Sequence, residues 1–338
     1  MTAELLAQNV AAHWMQAAGV AAAAWLAISL LRLREPGFLL KYWQAVLLLL
    51  LLAPWIQPWQ PVASTPAHGP PPAAPAQEAA GVPGVSVAES AVALPADRGG
   101  VDPWTWVLTL LAAVAAFRLA RLGLGLVRLD RLARSANRVV PPPPAREFQA
   151  LRRTSAAFVQ PPDVRMPCSF GLFRPTVVLP AAFDRLEPAF QRGIVCHELL
   201  HLERRDFAAA VAEEVAAALL WFHPWAWLIR GRIRLHREQV VDAAVVRRTG
   251  DRRAYVRCLI ALAGHPRALP LAAPMLRPTE LRARADALFA KDGTMSRRAS
   301  AALVIGLGAA LAAVLWTAAA TVPLSAAAPP GAAARGPE

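Results

Sequence analysis

Four stretches of the chain are almost continuously apolar, and their lengths set the first expectation. The first runs from about Val10 to Leu31 and the second from about Phe38 to Ile56. Each is close to the ~20 residues that a helix needs to cross a bilayer. Arg32, Arg34 and Lys41 lie in and around the connection between them, and Pro36-Gly37 supplies the turn. Trp43, Trp55 and Trp59 sit near the ends of the second run, as interfacial aromatics do. The third run begins at Trp104 and is cleanly apolar only to Phe117, where Arg118 and Arg121 intrude. If the helix continues to about Val127, these arginines can snorkel toward headgroups; the alternative is an interfacial helix. The fourth run is Ala299 to Val322, preceded by Lys291, Arg297 and Arg298. No basic residue precedes the first run, so it does not read as a signal peptide. The placement of Lys and Arg puts both chain ends outside, and the Arg32–Lys41 connection and the segment before the fourth run in the cytoplasm.

Between the runs the pattern changes twice. Pro58 to Pro103 is rich in Pro, Ala and Gly and is expected to be a disordered external loop. Arg128 to Arg298 carries ordinary soluble signals. Pro141 to Pro144 make a stiff break, and Phe170 to Leu179 reads as a β segment closed by Pro180. Glu187-Pro188 open a helix, Phe207 to Trp221 form a second, and His223-Pro224 break the chain before a third from about Trp225 to Arg248. Gly250-Asp251 end that helix and another begins near Arg252. Phe207 to Ile229 is apolar enough to suggest a span, but Glu213, Glu214 and the His223-Pro224 break argue for amphipathic packing against the preceding helix, touching the membrane surface. No internal repeat is found.

Composition sharpens this picture at two points. The 338 residues are 56% hydrophobic with a formal charge of +13. Such a charge raises nucleic acid as a partner, but the tryptophans fall in apolar runs rather than among the basic residues, and basic flanks of spans explain the excess without direct nucleic acid binding. The three cysteines, Cys168, Cys196 and Cys258, are scattered and imply neither a disulfide framework nor a CxxC metal site.

The chemistry concentrates in Cys196-His197-Glu198-Leu199-Leu200-His201, an HExxH motif. On a helix, positions four apart share a face, so His197 and His201 can hold one Zn2+ while Glu198 takes a proton from a water beside it. The bland alternative is a helix that merely carries two histidines. A catalytic zinc usually has three protein ligands, and His223, His236 and Glu238 are candidates. Glu238 is preferred because Glu238 and Asp242 share a helical face, so that one can bind metal while the other holds a ligand histidine by its second ring nitrogen. A solvated acidic face among Arg232, Arg234 and Arg237 is the competing explanation of that pair. His13, His68 and His265 are assigned no metal.

These blocks, taken together, resemble the membrane metallopeptidases of the beta-lactam sensor and antirepressor type (BlaR and MecR). The matching residues are Gly171-Leu172-Phe173-Arg174-Pro175-Thr176-Val177-Val178-Leu179-Pro180, His197-Glu198-Leu199-Leu200-His201 with Arg204 and Asp206, Trp221-Phe222-His223-Pro224, and Glu238 with Asp242. The resemblance covers roughly residues 1–320 and is strongest from 165 to 250. It implies a mostly α membrane protein of the bacterial cytoplasmic membrane, with four transmembrane helices and a cytoplasmic α+β zincin-like (gluzincin) protease domain. The expected division is 1–57 for the first two spans, 58–102 for the external loop, 103–127 for the third span, 128–298 for the protease, 299–322 for the fourth span and 323–338 for a short external tail poor in structure. It implies one Zn2+ held by His197, His201 and Glu238, with Glu198 as general base, and a peptide bond as substrate. Val177, Val178 and Leu179 are candidates for an edge strand that pairs with an extended substrate. Sensor members carry a large external penicillin-binding domain after the last span, whereas only the residues from Pro323 follow here, so no beta-lactam binding is expected. The usual substrate, a winged-helix repressor, is implied by analogy alone. A membrane quality-control protease and a zinc-stabilised signalling scaffold are the rivals.

Overall fold

The computed structural model describes residues 3–61, 103–148, 156–162, 164–263, 278–290 and 296–326. Most of the external loop, His68, His265 and Lys291 lie outside the described residues.

Among the described residues, four helices are long and apolar enough to cross a membrane: α1 (Ala3–Leu31), α2 (Pro36–Ile56), α3 (Pro103–Ser135) and α10 (Arg297–Thr321). They correspond to the four apolar runs. Local chemistry sets the α1–α2 turn. The Glu35 carboxylate caps α2 by accepting from the Gly37 and Phe38 amides, and Pro36 occupies the first helical position, where its missing N–H costs nothing. The third run does continue through Arg118 and Arg121, and α3 extends further still, to Ser135. The Arg118 guanidinium lies 4.5 Å from the Trp227 ring centroid, so its charge is met by an aromatic face inside the protein.

Beyond the spans, the chain forms β2 (Arg138–Val139), α4 (Pro143–Glu147), β3 (Ala157–Val159), β4 (Cys168–Phe170), β5 (Thr176–Val178), α5 (Pro188–Glu203), α6 (Asp206–Leu219), α7 (Pro224–Thr249), α8 (Arg252–Ala263) and α9 (Pro278–Phe289). The sheet order is β2-β3-β5-β4, with β3 parallel to β5 and the other two pairs antiparallel. Gly171 turns β4 into β5 at φ +115°, where a Cβ would stand 2.0 Å from the Arg174 carbonyl oxygen.

Two features depart from the pattern-based reading. The α6–α7 hairpin packs on the long apolar helices as well as on α5. Its α7 arm lies along α2, its α6 arm along α3, and Ala216, Leu220, Ala226, Ile229 and Ile233 share one apolar cluster with α1, α2 and α10. At its tip, Trp221 Nε1 donates to the Leu111 carbonyl of α3 and the His223 ring meets His13 of α1 at 5.1 Å. In the tail, β6 (Leu324–Ala326) pairs in parallel with β1 (Trp59–Pro61), and Asn9 exchanges two hydrogen bonds with the Ser325 backbone. The tail's first residues therefore pair with the start of the Pro-rich segment.

A second apolar cluster surrounds α5. Val195 and Leu199 pack with Val177 of β5, Val241 and Val245 of α7, and Cys258 of α8. This fixes which face of α5 turns toward α7.

Candidate metal centre

The inward face of α5 presents both motif histidines to α7. His197 Nε2 and His201 Nε2 lie 3.0 Å apart. The Glu238 carboxylate of α7 closes the group, 3.5 Å from His197 Nε2 and 3.7 Å from His201 Nε2. His197 and Glu238 are buried and His201 is nearly so. All three side chains singled out by the spacing are thus brought together.

The hydrogen bonds on the far side of each ring decide what the near side can do. His201 Nδ1 lies 2.8 Å from Asp206 Oδ2, a carboxylate that can only accept, so Nδ1 carries the proton. His197 Nδ1 lies 2.8 Å from the Tyr255 hydroxyl. That hydroxyl sits 2.7 Å from Asp242 Oδ1 and donates to it, which makes it an acceptor toward His197. With the proton of each neutral ring on Nδ1, the two Nε2 lone pairs would face each other and a carboxylate. Lone pairs held face to face in a buried pocket repel, and a shared cation removes the repulsion. The donor set of two imidazoles and one carboxylate fits a single divalent metal.

Charge around the pocket is arranged by residues of distant segments. Arg284 of α9 grips Asp242 with Nε and Nη2, each at 2.7 Å, and reaches Glu238 Oε2 with Nη1 at 3.1 Å. Burial opposes the charge on Glu238, but Arg284 and then the two histidines hold its carboxyl below the ordinary carboxylate range. Asp206 accepts from Arg204 Nε at 3.1 Å as well as from His201.

Glu198 is 1% exposed, and neither of its carboxylate oxygens has a hydrogen-bond partner. An ionisable group buried in that condition is expensive unless something transient occupies the space beside it. The strand β4 lies against α5 on this side. Burial, and then the Glu198 charge, push the Cys168 thiol of β4 up.

Asp242 supports His197 chiefly through Tyr255, since its own oxygen is 3.5 Å from His197 Nδ1. Spacing along one helix could show that Glu238 and Asp242 share a face, but not that a tyrosine from α8 stands between. Asp206 was legible as a neighbour of the motif without a role, and Tyr255 and Arg284 carried no local signal. The candidate substrate strand is corrected. Val177 and Val178 belong to β5, which has β3 on one side and β4 on the other, and the Leu179 amide donates to Val159 O at 2.9 Å. Their backbone is already paired, and the sheet edge that faces α5 is β4.

The other candidates lie elsewhere. His223 caps α7 at the hairpin tip against His13 and Trp14, and His236 Nδ1 bonds Gln239 Oε1 at 2.8 Å. Cys168, Cys196 and Cys258 are buried and unbonded to one another.

Residues 9–288 match the family described as BlaR1 peptidase M56. A stretch of 96 residues is 25% identical to "Regulatory protein BlaR1" of Bacillus licheniformis, covering 28% of this chain and 16% of that protein.

Proposed function

The chain belongs to the BlaR1 peptidase M56 family, and from that premise we propose that it is an integral-membrane zinc endopeptidase that signals by cutting a cytosolic transcriptional repressor. The observation that carries the hydrolytic reading is the pairing of a two-histidine, one-glutamate donor set with a buried, unpartnered Glu198 one residue along the same helix. A site that only held the fold together would need no such carboxylate.

His197, His201 and Glu238 would hold the zinc. When bound, zinc supplies a Lewis acid that makes water acidic and polarises a carbonyl. Glu198 then accepts the proton of the attacking water and returns it to the leaving amine. Asp206 and Tyr255 keep the two imidazoles in the tautomer that leaves Nε2 free. Arg284 offsets the negative charge of Glu238 and Asp242. An extended substrate would add to the β4 edge, Cys168–Phe170, and so pass beside Glu198. The basic residues at Arg32, Arg34, Lys41 and Arg298 support both ends outside and the site on the cytoplasmic side. A winged-helix repressor is the substrate class that the resemblance suggests.

The test is a census of new protein N-termini in cells expressing wild type or Glu198→Gln at equal levels. One or two Glu198-dependent cuts in a DNA-binding regulator are expected. Many cuts across membrane proteins would instead establish quality control. In purified protein, Glu198→Gln should keep its zinc and lose cleavage by about 100-fold or more; loss of the metal would overturn the division of roles.

A further inference from the structure

A chain of buried polar contacts leads away from the metal centre and ends on a span. Asp206 divides its carboxylate. Oδ2 takes His201 and Arg204, while Oδ1 faces Arg237 Nε at 3.9 Å, an ion-pair distance. Arg237, on α7, donates through Nη2 to Glu213 Oε1 of α6. The same oxygen accepts from Gln44 Nε2 of α2 at 3.0 Å. Asp206, Glu213 and Arg237 are each no more than 9% exposed. Gln44 lies eight residues into α2, about 12 Å along the helix from Pro36, within the length that crosses the membrane.

The neighbouring pair shows what a purely structural contact looks like here. Glu214 pairs with Arg230 between the same two helices, and none of its contacts leads to the site. Glu213 differs because its partner also faces the carboxylate that orients His201. Arg237 attracts Asp206 across 3.9 Å without a hydrogen bond, and Glu213 with Gln44 holds Arg237 in that place. Burying this many charges costs more than an apolar contact of the same size, so the arrangement is poorly explained as packing alone.

We propose that Glu213 is a positioning residue for the metal centre, coupling span α2 to the orientation of His201 through Arg237 and Asp206. A displacement of α2 then changes how well the site holds its metal. The proposal rests on His197, His201 and Glu238 being metal ligands.

The experiment uses the full chain in lipid nanodiscs and reads zinc affinity by competition with a chromogenic chelator, alongside the thermal midpoint. Asp206→Asn should weaken zinc binding about 10- to 100-fold. Glu213→Leu should weaken it about tenfold and Gln44→Leu about threefold, the effect falling with each step outward. Glu213→Gln keeps an acceptor oxygen for both neighbours and should recover most of the affinity. Glu214→Gln should leave affinity within about twofold even where it lowers the thermal midpoint, as a contact outside the chain does. In the Asp206→Asn background, Gln44→Leu and Glu213→Leu should add nothing, because the route is already cut. Full additivity in that background, or unchanged affinity in both Gln44→Leu and Glu213→Leu, overturns the proposal. If Glu213→Leu does not fold, the Gln44→Leu and Asp206→Asn cycle decides alone. A wild-type chain that takes up no zinc overturns the metal reading itself, whereas equal zinc affinity in wild type and variants overturns only the coupling.

Discussion

At the scale of single residues, the metal centre is a problem of lone pairs. The partners of His197 and His201 favour a proton on each Nδ1, so that the neutral rings would set two bare Nε2 atoms 3.0 Å apart. Glu238 completes the set, and His223 sits at the other end of α7, against α1. Glu238→Ala should therefore lower zinc affinity by more than the ~10–100-fold of losing an outer partner, while His223→Ala should leave zinc content unchanged. Metal analysis of the two purified variants checks this, and the reverse result would move the third ligand to His223. The four residues of the primary site were legible because helical periodicity makes i and i+4 neighbours and because Glu238 and Asp242 share a face. Asp206, Tyr255 and Arg284 were not assigned roles, because each reaches the site from the start or middle of another helix. Only the packing of α6 and α8 on α5, and of α9 on α7 and α8, creates those contacts.

At the scale of elements, the apolar runs were sufficient to locate the four candidate spans among the described residues, since a span must satisfy its own backbone and so announces itself by length. The sheet was less legible. Its strands are two or three residues long, too short for alternation to show. The β segment from Phe170 to Leu179 in fact begins with the last residue of β4, turns at Gly171 and continues as β5. The turn gives a test of the β4 edge. At φ +115° an alanine at 171 is strained by roughly 1–3 kcal/mol, and its Cβ displaces the Arg174 carbonyl. Gly171→Ala should lower peptide cleavage about tenfold, which is ~1.4 kcal/mol, while zinc content stays at wild type. Equal loss of both would show that the hairpin only supports α5.

The helix α7 carries a second measurable consequence. Burial lowers the His236 imidazole from 6.5 to about 4, with its bond to Gln239 acting against the shift and Arg232 adding to it. The folded state therefore prefers the neutral ring. Stability from this residue is fully present above pH 6.5 and is lost as pH falls through 4, about 3 kcal/mol in all. Thermal unfolding of His236→Gln between pH 7.5 and 4.5 should show a shallower fall than wild type. Parallel curves would mean that the ring remains neutral in the unfolded chain too, or gains a charge partner in the folded one.

At the scale of the whole molecule, the division into spans and a soluble protease segment does not follow the packing. The face of α7 that bears Ile229 and Ile233 is covered by α2, and Ala216 of α6 and Leu220 just beyond it join the same cluster with Ala17, Val20 and Leu311 of α1 and α10. The opposite face of α7 carries Glu238 and Asp242 toward α5. One helix thus belongs to two cores, and the candidate ligand Glu238 is held in place partly by one of the candidate spans. An excised 128–298 segment would expose that apolar face to water, at about 25 cal/mol per Å2 of uncovered surface. Produced alone in aqueous buffer, it should aggregate and retain less than stoichiometric zinc. Co-expressed with residues 1–57, which restore α1 and α2, it should be recovered in detergent as a zinc-containing complex. Size-exclusion chromatography with metal analysis distinguishes these outcomes. A monomeric, zinc-loaded segment in water would show that the core around Val195, Leu199 and Val241 stands alone, and that α2 contributes position without contributing stability.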